Sequence, residues 1–228
     1  MRAARNIRVP SPAQARHAVP VYESHLTVLC DGDELRRLEN WSRAHGDDVK
    51  FAHIALERGR TPSQPMLSLR GSRPTYGSEL AAVRAAERCL TRNGFTVARR
   101  KVECTPGAVE VPQNDAGASA VRLGPHAGRH FEHHVKLLLP PSYNRGALAG
   151  IAGRHGAHVS RNARRRRADG QQERFVTQRC HGVGNDRAQR ALDGLLAELA
   201  SYEVIDVERE YVLLDNGPQL DEGWLKSI

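Results

Sequence analysis

An internal duplication is the feature that most constrains the fold of this 228-residue chain. The segment Tyr22–Leu29 reads aromatic, Glu, any residue, His, aliphatic, any residue, aliphatic, Leu, and Phe131–Leu138 repeats that pattern 109 residues later. Because a duplicated sequence folds into duplicated units, we expect two copies of one supersecondary motif. Two further pairs follow in the same order: Ala52–Ile54 with Ala157–Val159, and Met66–Arg70 with Phe175–Arg179.

Each half of the chain is predicted to run strand, helix, strand, strand, helix, strand. In the predicted strands, apolar and polar residues alternate, and in the predicted helices apolar residues recur with a period of 3.6 residues. Glycines such as Gly46 and Gly94 end the helices. The first half has predicted strands at about 22–29, 50–57, 65–70 and 95–103, with helices at about 32–45 and 77–93. The second half has strands at about 131–139, 156–164, 173–180 and 203–214, with helices at about 145–154 and 185–200.

This element order is typical of the ferredoxin-like unit, in which two helices cover one face of a four-stranded antiparallel sheet. We therefore predict an α+β fold of tandem duplicated ferredoxin-like (βαββαβ) units, with antiparallel sheets forming one pseudo-symmetric body. The predicted boundaries are a disordered basic leader at 1–20, the first unit at 21–104, a Pro- and Gly-rich linker at 105–128, the second unit at 129–216, and a C-terminal tail at 217–228 along the surface.

Composition excludes a fibrous or membrane-spanning chain. With 39% hydrophobic and 26% charged residues, the chain has an ordinary globular composition. The apolar run around 135–139, which Lys136 interrupts, is far shorter than the roughly 20 residues of a spanning helix. The leader lacks the apolar stretch of a secretory signal, and the four cysteines form no C-x-x-C pair. We expect reduced thiols, a cytoplasmic location and no membrane partner.

The net charge of +8 comes largely from one short segment. Arg161 and the run Arg164–Arg167 place five arginines within seven residues. Such a run is either a solvated hairpin loop or an arm that neutralises phosphates of an RNA backbone. A concentrated basic loop favours phosphate contact more than a diffuse surplus of charge does.

The duplicated strand predicts which side chains share a face, because successive residues on a strand point to opposite sides. Glu23, His25 and Thr27 fall on one face in the first half, and Glu132, His134 and Lys136 form the equivalent row in the second half. On the third strand of each half, Ser68 and Arg70, and likewise Thr177 and Arg179, share a face. His133 points the other way, so His133 and His134 are not a chelating pair.

These residue types suit the handling of a phosphoester. Imidazole transfers protons near neutral pH, and the Arg guanidinium meets phosphate oxygens in pairs. A Glu beside a His on the same face can orient the ring. If the two sheets face each other, His25 and His134 come together across one cleft.

The segment His25-Leu-Thr27-Val28 resembles the His-x-Thr-hydrophobic signature of the two-histidine phosphoesterase superfamily, which is internally duplicated. The resemblance implies a phosphoric diester hydrolase that cleaves 2′,3′-cyclic or 2′-5′ bonds at nucleotide or RNA ends without metal or other cofactor. His25 and His134 would be the catalytic acid and base. The second copy departs from the signature, with Lys136 in place of Thr or Ser. The other implied roles are phosphate binding by Thr27, Lys136, Arg70, Arg179 and Arg161, and orientation of the histidines by Glu23 and Glu132.

Several alternatives remain open. The row Glu132-x-His134-x-Lys136 also resembles the Glu-x-Glu-x-Lys strand of the triphosphate tunnel family, which would imply a metal-dependent phosphatase in a closed barrel. A metal held by Glu23, His25, Glu132 and His134 is conceivable. The same basic cleft would also serve a non-catalytic nucleotide- or RNA-binding protein, or a subunit interface, and the oligomeric state is open. Residues predicted to support the histidines, or to be merely structural, are His53, His158, Ser68 and Thr177.

Overall fold

A computed structural model describes residues 21–70, 73–123, 126, 128–165 and 167–224. The predicted leader at 1–20, Arg166 and the last four residues of the predicted tail lie outside the described residues. The strands are β1 (Tyr22–Leu29), β2 (Val49–Leu56), β3 (Ser63–Leu69), β4 (Thr96–Cys104), β5 (His130–Leu139), β6 (Ala157–Asn162), β7 (Gln172–His181) and β8 (Glu203–Asp215). The helices in the described residues are α1 (Gly32–Ala44), α2 (Tyr76–Arg92), α3 (Asp115–Leu123), α4 (Arg145–Arg154) and α5 (Asn185–Glu198), with short 3-10 turns at Gly46–Asp48 and Pro218–Asp221.

The prediction of two tandem ferredoxin-like units, each with its own antiparallel sheet, is wrong. All eight strands form one closed antiparallel barrel in the order β1-β3-β2-β6-β7-β5-β8-β4, and β4 pairs with β1 to close the ring. Within each half, the strands keep the ferredoxin-like neighbours, β4-β1-β3-β2 and β8-β5-β7-β6. Separate sheets would have left β2, β4, β6 and β8 with unpaired edges. Pairing β2 with β6 and β4 with β8 satisfies those backbone groups.

The hydrophobic core lies between the helices and the outer face of the barrel, not inside the barrel. In the first half, Leu26 and Val28 of β1 are fully buried in a cluster that includes Leu38 of α1 and Val83 of α2. In the second half, strand β5 contributes Val135, Leu137 and Leu139 to the equivalent cluster beneath α4 and α5. Each buried side chain of this size contributes about 1.5–3 kcal/mol. The barrel interior is thereby left to the other, polar face of every strand.

The segment predicted to be a linker, 105–128, contains helix α3. Asn114 begins this helix, because its Oδ1 accepts a hydrogen bond from the Gly117 backbone N–H at 2.9 Å. Ala108 and Val111 of the same segment are buried with Tyr22 of β1 in a third apolar cluster. The many Gly and Pro residues suggested an irregular linker, whereas the segment packs against the barrel.

The predicted surface tail instead folds into the lining of the barrel. Leu220, Asp221 and Trp224 are buried, and the Trp224 indole N–H donates to the Val159 backbone carbonyl at 3.3 Å. A Cβ on Gly217 would lie 2.8 Å from Cβ of Arg99, so glycine allows the chain to cross β4 closely at this point. No helix in the part of the chain that the structure describes is long and apolar enough to span a membrane.

His133, the neighbour of the predicted catalytic His134, points away from the barrel interior as expected. The side chain is fully buried, and its Nδ1 lies 3.0 Å from Oε1 of Gln178. Its Nε2 has no hydrogen-bond partner among the described residues. Burial lowers the pKa of His133 from 6.5 to about 4, so the imidazole is neutral in the folded protein near neutral pH.

This burial predicts a loss of stability in mild acid. The unfolded chain binds a proton at His133 near pH 6.5, whereas the folded protein does so only near pH 4. The stability is therefore full above pH 6.5 and declines by about 3 kcal/mol as the pH falls through that window. Urea unfolding at several pH values measures the slope, which we expect to be smaller in His133→Gln. The control His45→Gln, at an exposed site, should keep the wild-type slope.

Candidate functional site

The barrel encloses a polar cavity of about 390 Å³ that alternate residues from all eight strands line. Ten of the residues predicted from the sequence lie around it, because closure of the barrel turns both polar rows toward one space. Arg161, His53 and His158 are not part of the lining. The predicted residues that line the cavity are His25, His134, Thr27, Lys136, Arg70, Arg179, Glu23, Glu132, Ser68 and Thr177.

His25 is held at both ring nitrogens. Its Nδ1 lies 2.8 Å from the Ser68 hydroxyl oxygen, and its Nε2 lies 2.8 Å from a carboxylate oxygen of Glu103. Ser68 is the direct cross-strand neighbour of His25 on β3, so the β1–β3 register places the hydroxyl against the ring. The ring orientation is therefore set by the fold before any ligand is bound.

His134 has the equivalent environment in the second half. Its Nδ1 lies 3.0 Å from the Thr177 hydroxyl oxygen, and Thr177 is its cross-strand neighbour on β7. Its Nε2 lies 3.3 Å from Glu210 and 3.6 Å from Glu132. The duplication has thus preserved a set of hydroxyl, imidazole and carboxylate in both halves of one cavity.

The carboxylates that contact the histidines differ from those predicted. Glu23 and Glu132 were expected to orient the rings, but Glu103 on β4 makes the short contact to His25 and Glu210 on β8 makes it to His134. The neighbouring strand of the same half supplies each of these groups, which the pattern of a single strand cannot show. Glu132 keeps only the longer contact to His134.

The carboxylate contacts favour the charged form of both imidazoles. Burial disfavours that form, but the hydrogen bond to Glu210 and the charge of Glu132 raise the pKa of His134 to about 9. Burial also disfavours the charged form of His25, but the hydrogen bond to Glu103 and the charge of Glu103 outweigh it and raise the pKa of His25. Burial, together with the nearby charge of Glu103, raises the pKa of Glu210. The carboxylates thus favour the protonated form of both rings, whereas Glu210 itself is shifted toward its neutral form.

Two overlapping groups of side chains have the composition and spacing to hold a metal ion. In each group, the candidate donor atoms lie within 4.8 Å of one another, and Glu210 belongs to both. Imidazole and carboxylate donors together suit transition metals such as Mn²⁺, Zn²⁺ or Fe²⁺. The groups are Glu23, His25 and Glu210, and Glu103, His134 and Glu210.

Glu132 and Arg179 take part in a buried ion network beside the cavity. Glu132 accepts hydrogen bonds from Lys101 Nζ at 2.8 Å and from Arg179 Nε at 3.2 Å. Arg179 also contacts Asp221 of the C-terminal segment at 2.9 Å, and Asp221 contacts Arg99 at 3.0 Å. Despite the burial, the charges of Arg179 and Lys101 hold the pKa of Glu132 well below its usual range. Arg179 is therefore already neutralised by carboxylates.

The cations with the greatest freedom to meet a ligand lie toward the open side of the cavity. Lys50 and Arg70 are exposed, and neither pairs with a carboxylate of another described residue. Lys136 is tied to Glu173 at 3.0 Å and lies 5.6 Å from the centre of the Phe175 ring. Of the predicted phosphate ligands, Arg70 is thus the freest.

Three predicted residues lie elsewhere. His53 is on the outer face of β2, where its Nε2 lies 2.8 Å from the Ser63 hydroxyl oxygen. His158 is buried with its ring centre 5.6 Å from that of Trp224. Arg161 is exposed and lines an adjoining groove at the end of β6.

Most of the charged lining residues that the sequence analysis missed are on the last strand of each half, and Lys50 on β2 and Asp221 in the tail were missed as well. Both last strands carry charged side chains at every second residue, which is the signal of a polar face inside a barrel. These rows were overlooked because they do not resemble each other. The missed residues on these two strands are Arg99, Lys101 and Glu103 on β4, and Asp206, Glu208 and Glu210 on β8.

No protein-family model matches the sequence, and no curated protein matches it. Among solved structures, a proposed chlorite dismutase is 15% identical over 88% of this chain and 98% of its own, with a TM-score of 0.27. The acetolactate synthase small subunit from Thermotoga maritima is 10% identical over 86% of this chain and 96% of its own, with a TM-score of 0.31. The chlorite dismutase from Candidatus Nitrospira defluvii is 8% identical over 86% and 92%, with a TM-score of 0.29. Likeness at this level carries no argument about function.

The buried ion network predicts a large difference between two Glu→Gln substitutions. Glu132→Gln removes one of the two carboxylates that Lys101 and Arg179 each contact, and loss of one partner from a buried ion pair costs about 3–5 kcal/mol. Glu222→Gln breaks the Arg60–Glu222 pair, whose side chains are 81% and 56% exposed, so solvent replaces the interaction with almost no change. Urea unfolding of both variants measures the difference. Equal stability of the two variants would contradict the network.

Proposed function

We propose that the chain is a phosphoric diester hydrolase that acts on nucleotide or RNA ends inside the barrel. The observation that carries the proposal is the convergence of His25 and His134, each held by a hydroxyl and a carboxylate, on one cavity. A ligand in this cavity meets both copies of the duplicated motif at once. The cytoplasmic location and the nucleotide or RNA partner stay predictions from the sequence.

The ligand's phosphate would be held near the open side of the cavity. Arg70 offers a planar fork of N–H donors for phosphate oxygens, and Lys50 lies two strands from β1 in the same lining. Lys136 and Thr27 occupy equivalent positions of the two halves and add an ammonium and a hydroxyl to the same lining. These groups stabilise charge that develops on the phosphoryl oxygens.

The two histidines would exchange protons with the ester through Nε2, the ring nitrogen that faces the carboxylates. Glu103 and Glu210 fix this side of each ring, and the hydroxyls of Ser68 and Thr177 fix the other side. Binding of the ester therefore displaces Glu103 and Glu210 from Nε2, while the Ser68 and Thr177 hydroxyls at Nδ1 keep each ring in its orientation. In this arrangement the carboxylate that leaves the imidazole on ligand binding can accept the proton of an attacking water.

A metal-dependent phosphatase like those of the triphosphate tunnel family is the second candidate. Two observations favour it: the barrel is closed and eight-stranded, and two sets of His and Glu donors share Glu210. A divalent cation held there would supply charge stabilisation at the phosphoryl group. The same residues would then act as ligands, with Lys50 and Arg70 still on the phosphate.

Hydrolysis of a substrate panel tests both candidates. The substrates are 2′,3′-cyclic nucleotides, 2′-5′-linked dinucleotides and tripolyphosphate, each with EDTA and with added Mn²⁺. We expect diester cleavage that survives EDTA and falls at least about 100-fold in His25→Gln and in His134→Gln. The matched control is His53→Gln, because His53 lies on the outer face of the barrel. Thermal melts confirm that each variant is folded.

Other outcomes would overturn the first candidate. Cleavage of tripolyphosphate alone, abolished by EDTA and restored by Mn²⁺, would establish the metal-dependent reaction. Ligand binding that Arg70→Ala weakens, without turnover in any condition, would make the chain a non-catalytic nucleotide- or RNA-binding protein.

A further inference from the structure

A second concave surface adjoins the cavity, where strands β2, β6 and β7 meet helix α4. It is a groove of about 710 Å³. Its cationic lining comes from the loop between β6 and β7, from the strand ends and from the first residue of α4. The arginines that line it are Arg145, Arg161, Arg165, Arg167 and Arg174.

These arginines outnumber the acidic residues of the groove, which are Glu57 and Glu173. Glu173 is shared by Arg165 at 2.9 Å and Arg167 at 3.7 Å, as well as by Lys136 from the cavity. Arg167 also pairs with Asp169 at 2.8 Å, so two carboxylates face these three cations. The groove therefore carries an uncompensated positive charge, which favours a ligand with several negative charges.

Two arginines in particular are available to an anion. Arg161 and Arg145 are exposed, and neither pairs with a carboxylate of a described residue. Arg145 lies 6.0 Å from the centre of the Tyr143 ring, and Arg174, which donates to the Tyr143 hydroxyl, is held nearby. The free guanidinium groups project from two different elements, β6 and α4, on the borders of one groove.

The groove and the cavity are continuous. Leu56, Asn162 and Arg165 belong to the lining of both. A chain whose end occupies the cavity can therefore continue into the groove. A mononucleotide would fill the cavity and leave the arginines of the groove unused.

The remaining lining indicates which kind of anionic chain fits. The described lining of the groove contains no aromatic side chain, so it offers no platform on which bases stack. It does contain hydrogen-bond acceptors: the Glu57 carboxylate repels a bare phosphate chain, and both this carboxylate and the amide oxygen of Gln171 accept hydrogen bonds from hydroxyl groups. Phosphates together with hydroxyl donors are the chemistry of a ribose–phosphate backbone.

We propose that this groove binds the backbone of an RNA chain whose end lies in the cavity, without reading its sequence. The proposal rests on the proposed function and deepens it, since it makes an RNA chain and not a free nucleotide the substrate. Arg145 and Arg161 contact backbone phosphates, and Glu57 and Gln171 accept hydrogen bonds from 2′-hydroxyls. Backbone contacts of this kind position a nucleic acid and carry no base specificity.

Calorimetric titration of the full chain with oligouridylate about eight nucleotides long tests the groove. We expect the Arg145→Ala/Arg161→Ala double variant to bind this RNA about tenfold more weakly, with a salt dependence reduced by about 0.7 for each lost phosphate contact. The matched control is Arg84→Ala/Arg88→Ala, which removes the same charge from exposed positions on α2 and should bind like the wild type.

Two further ligands separate backbone recognition from charge attraction. The matched oligodeoxyuridylate lacks the 2′-hydroxyl and should bind more weakly than the RNA. In the Glu57→Ala/Gln171→Ala double variant, this difference in affinity between RNA and DNA should disappear. Inorganic polyphosphate of similar charge should bind more weakly still. Equal affinity for RNA and polyphosphate, or equal losses in the two double-arginine variants, would overturn the proposal.

Turnover of 2′,3′-cyclic mononucleotides distinguishes this proposal from the proposed function. Mononucleotides do not reach the groove, so the Arg145→Ala/Arg161→Ala variant should hydrolyse them at the wild-type rate. Normal mononucleotide turnover with unchanged RNA affinity in that variant would reject the groove and leave the active site standing. Loss of RNA affinity in that variant, without any mononucleotide turnover by the wild type, would support the groove and reject the proposed active site.

Discussion

The pairing of four edge strands is the constraint on which the rest of the structure depends. Each half of the chain builds a four-stranded sheet that is apolar where the helices pack and polar on the other side. Joining β2 to β6 and β4 to β8 removes every exposed edge and turns both polar faces into one interior. The interior must then hold many charges away from bulk water, and it does so by pairing them.

Divergence between the two halves makes this pairing possible. The β1–β4 register places Lys101 opposite His25, whereas the corresponding β5–β8 register places Glu208 opposite His134. In the same way, Arg99 lies opposite Thr27 and Asp206 lies opposite Lys136. Equivalent positions thus carry opposite charges. Had both copies kept the same residue, the interior would hold a larger net charge in a space of low dielectric constant, which is costly.

The surroundings of the two histidines, in contrast, have been preserved in both halves of the chain. Each ring lies between a cross-strand hydroxyl and a carboxylate from the last strand of its own half. Structural need alone explains a single buried imidazole of this kind. The proposed function rests on two such rings in one cavity, with cations at the open side and a groove of arginines beyond it, which would serve phosphoester recognition and proton transfer.

The sequence by itself determined the local structure and the contents of the polar rows. The repeat and the period-two pattern placed Glu23, His25 and Thr27 on one face and put the strands and all the described helices but α3 in their observed order, because these features depend on neighbours within a few residues. Only the tertiary structure decided that the two sheets close into one barrel, that Glu103 and Glu210 reach the histidines, and that Asp221 enters the lining. Those contacts join residues far apart in the chain, and strand edges pair with whichever complementary edge the packing of the whole molecule brings near.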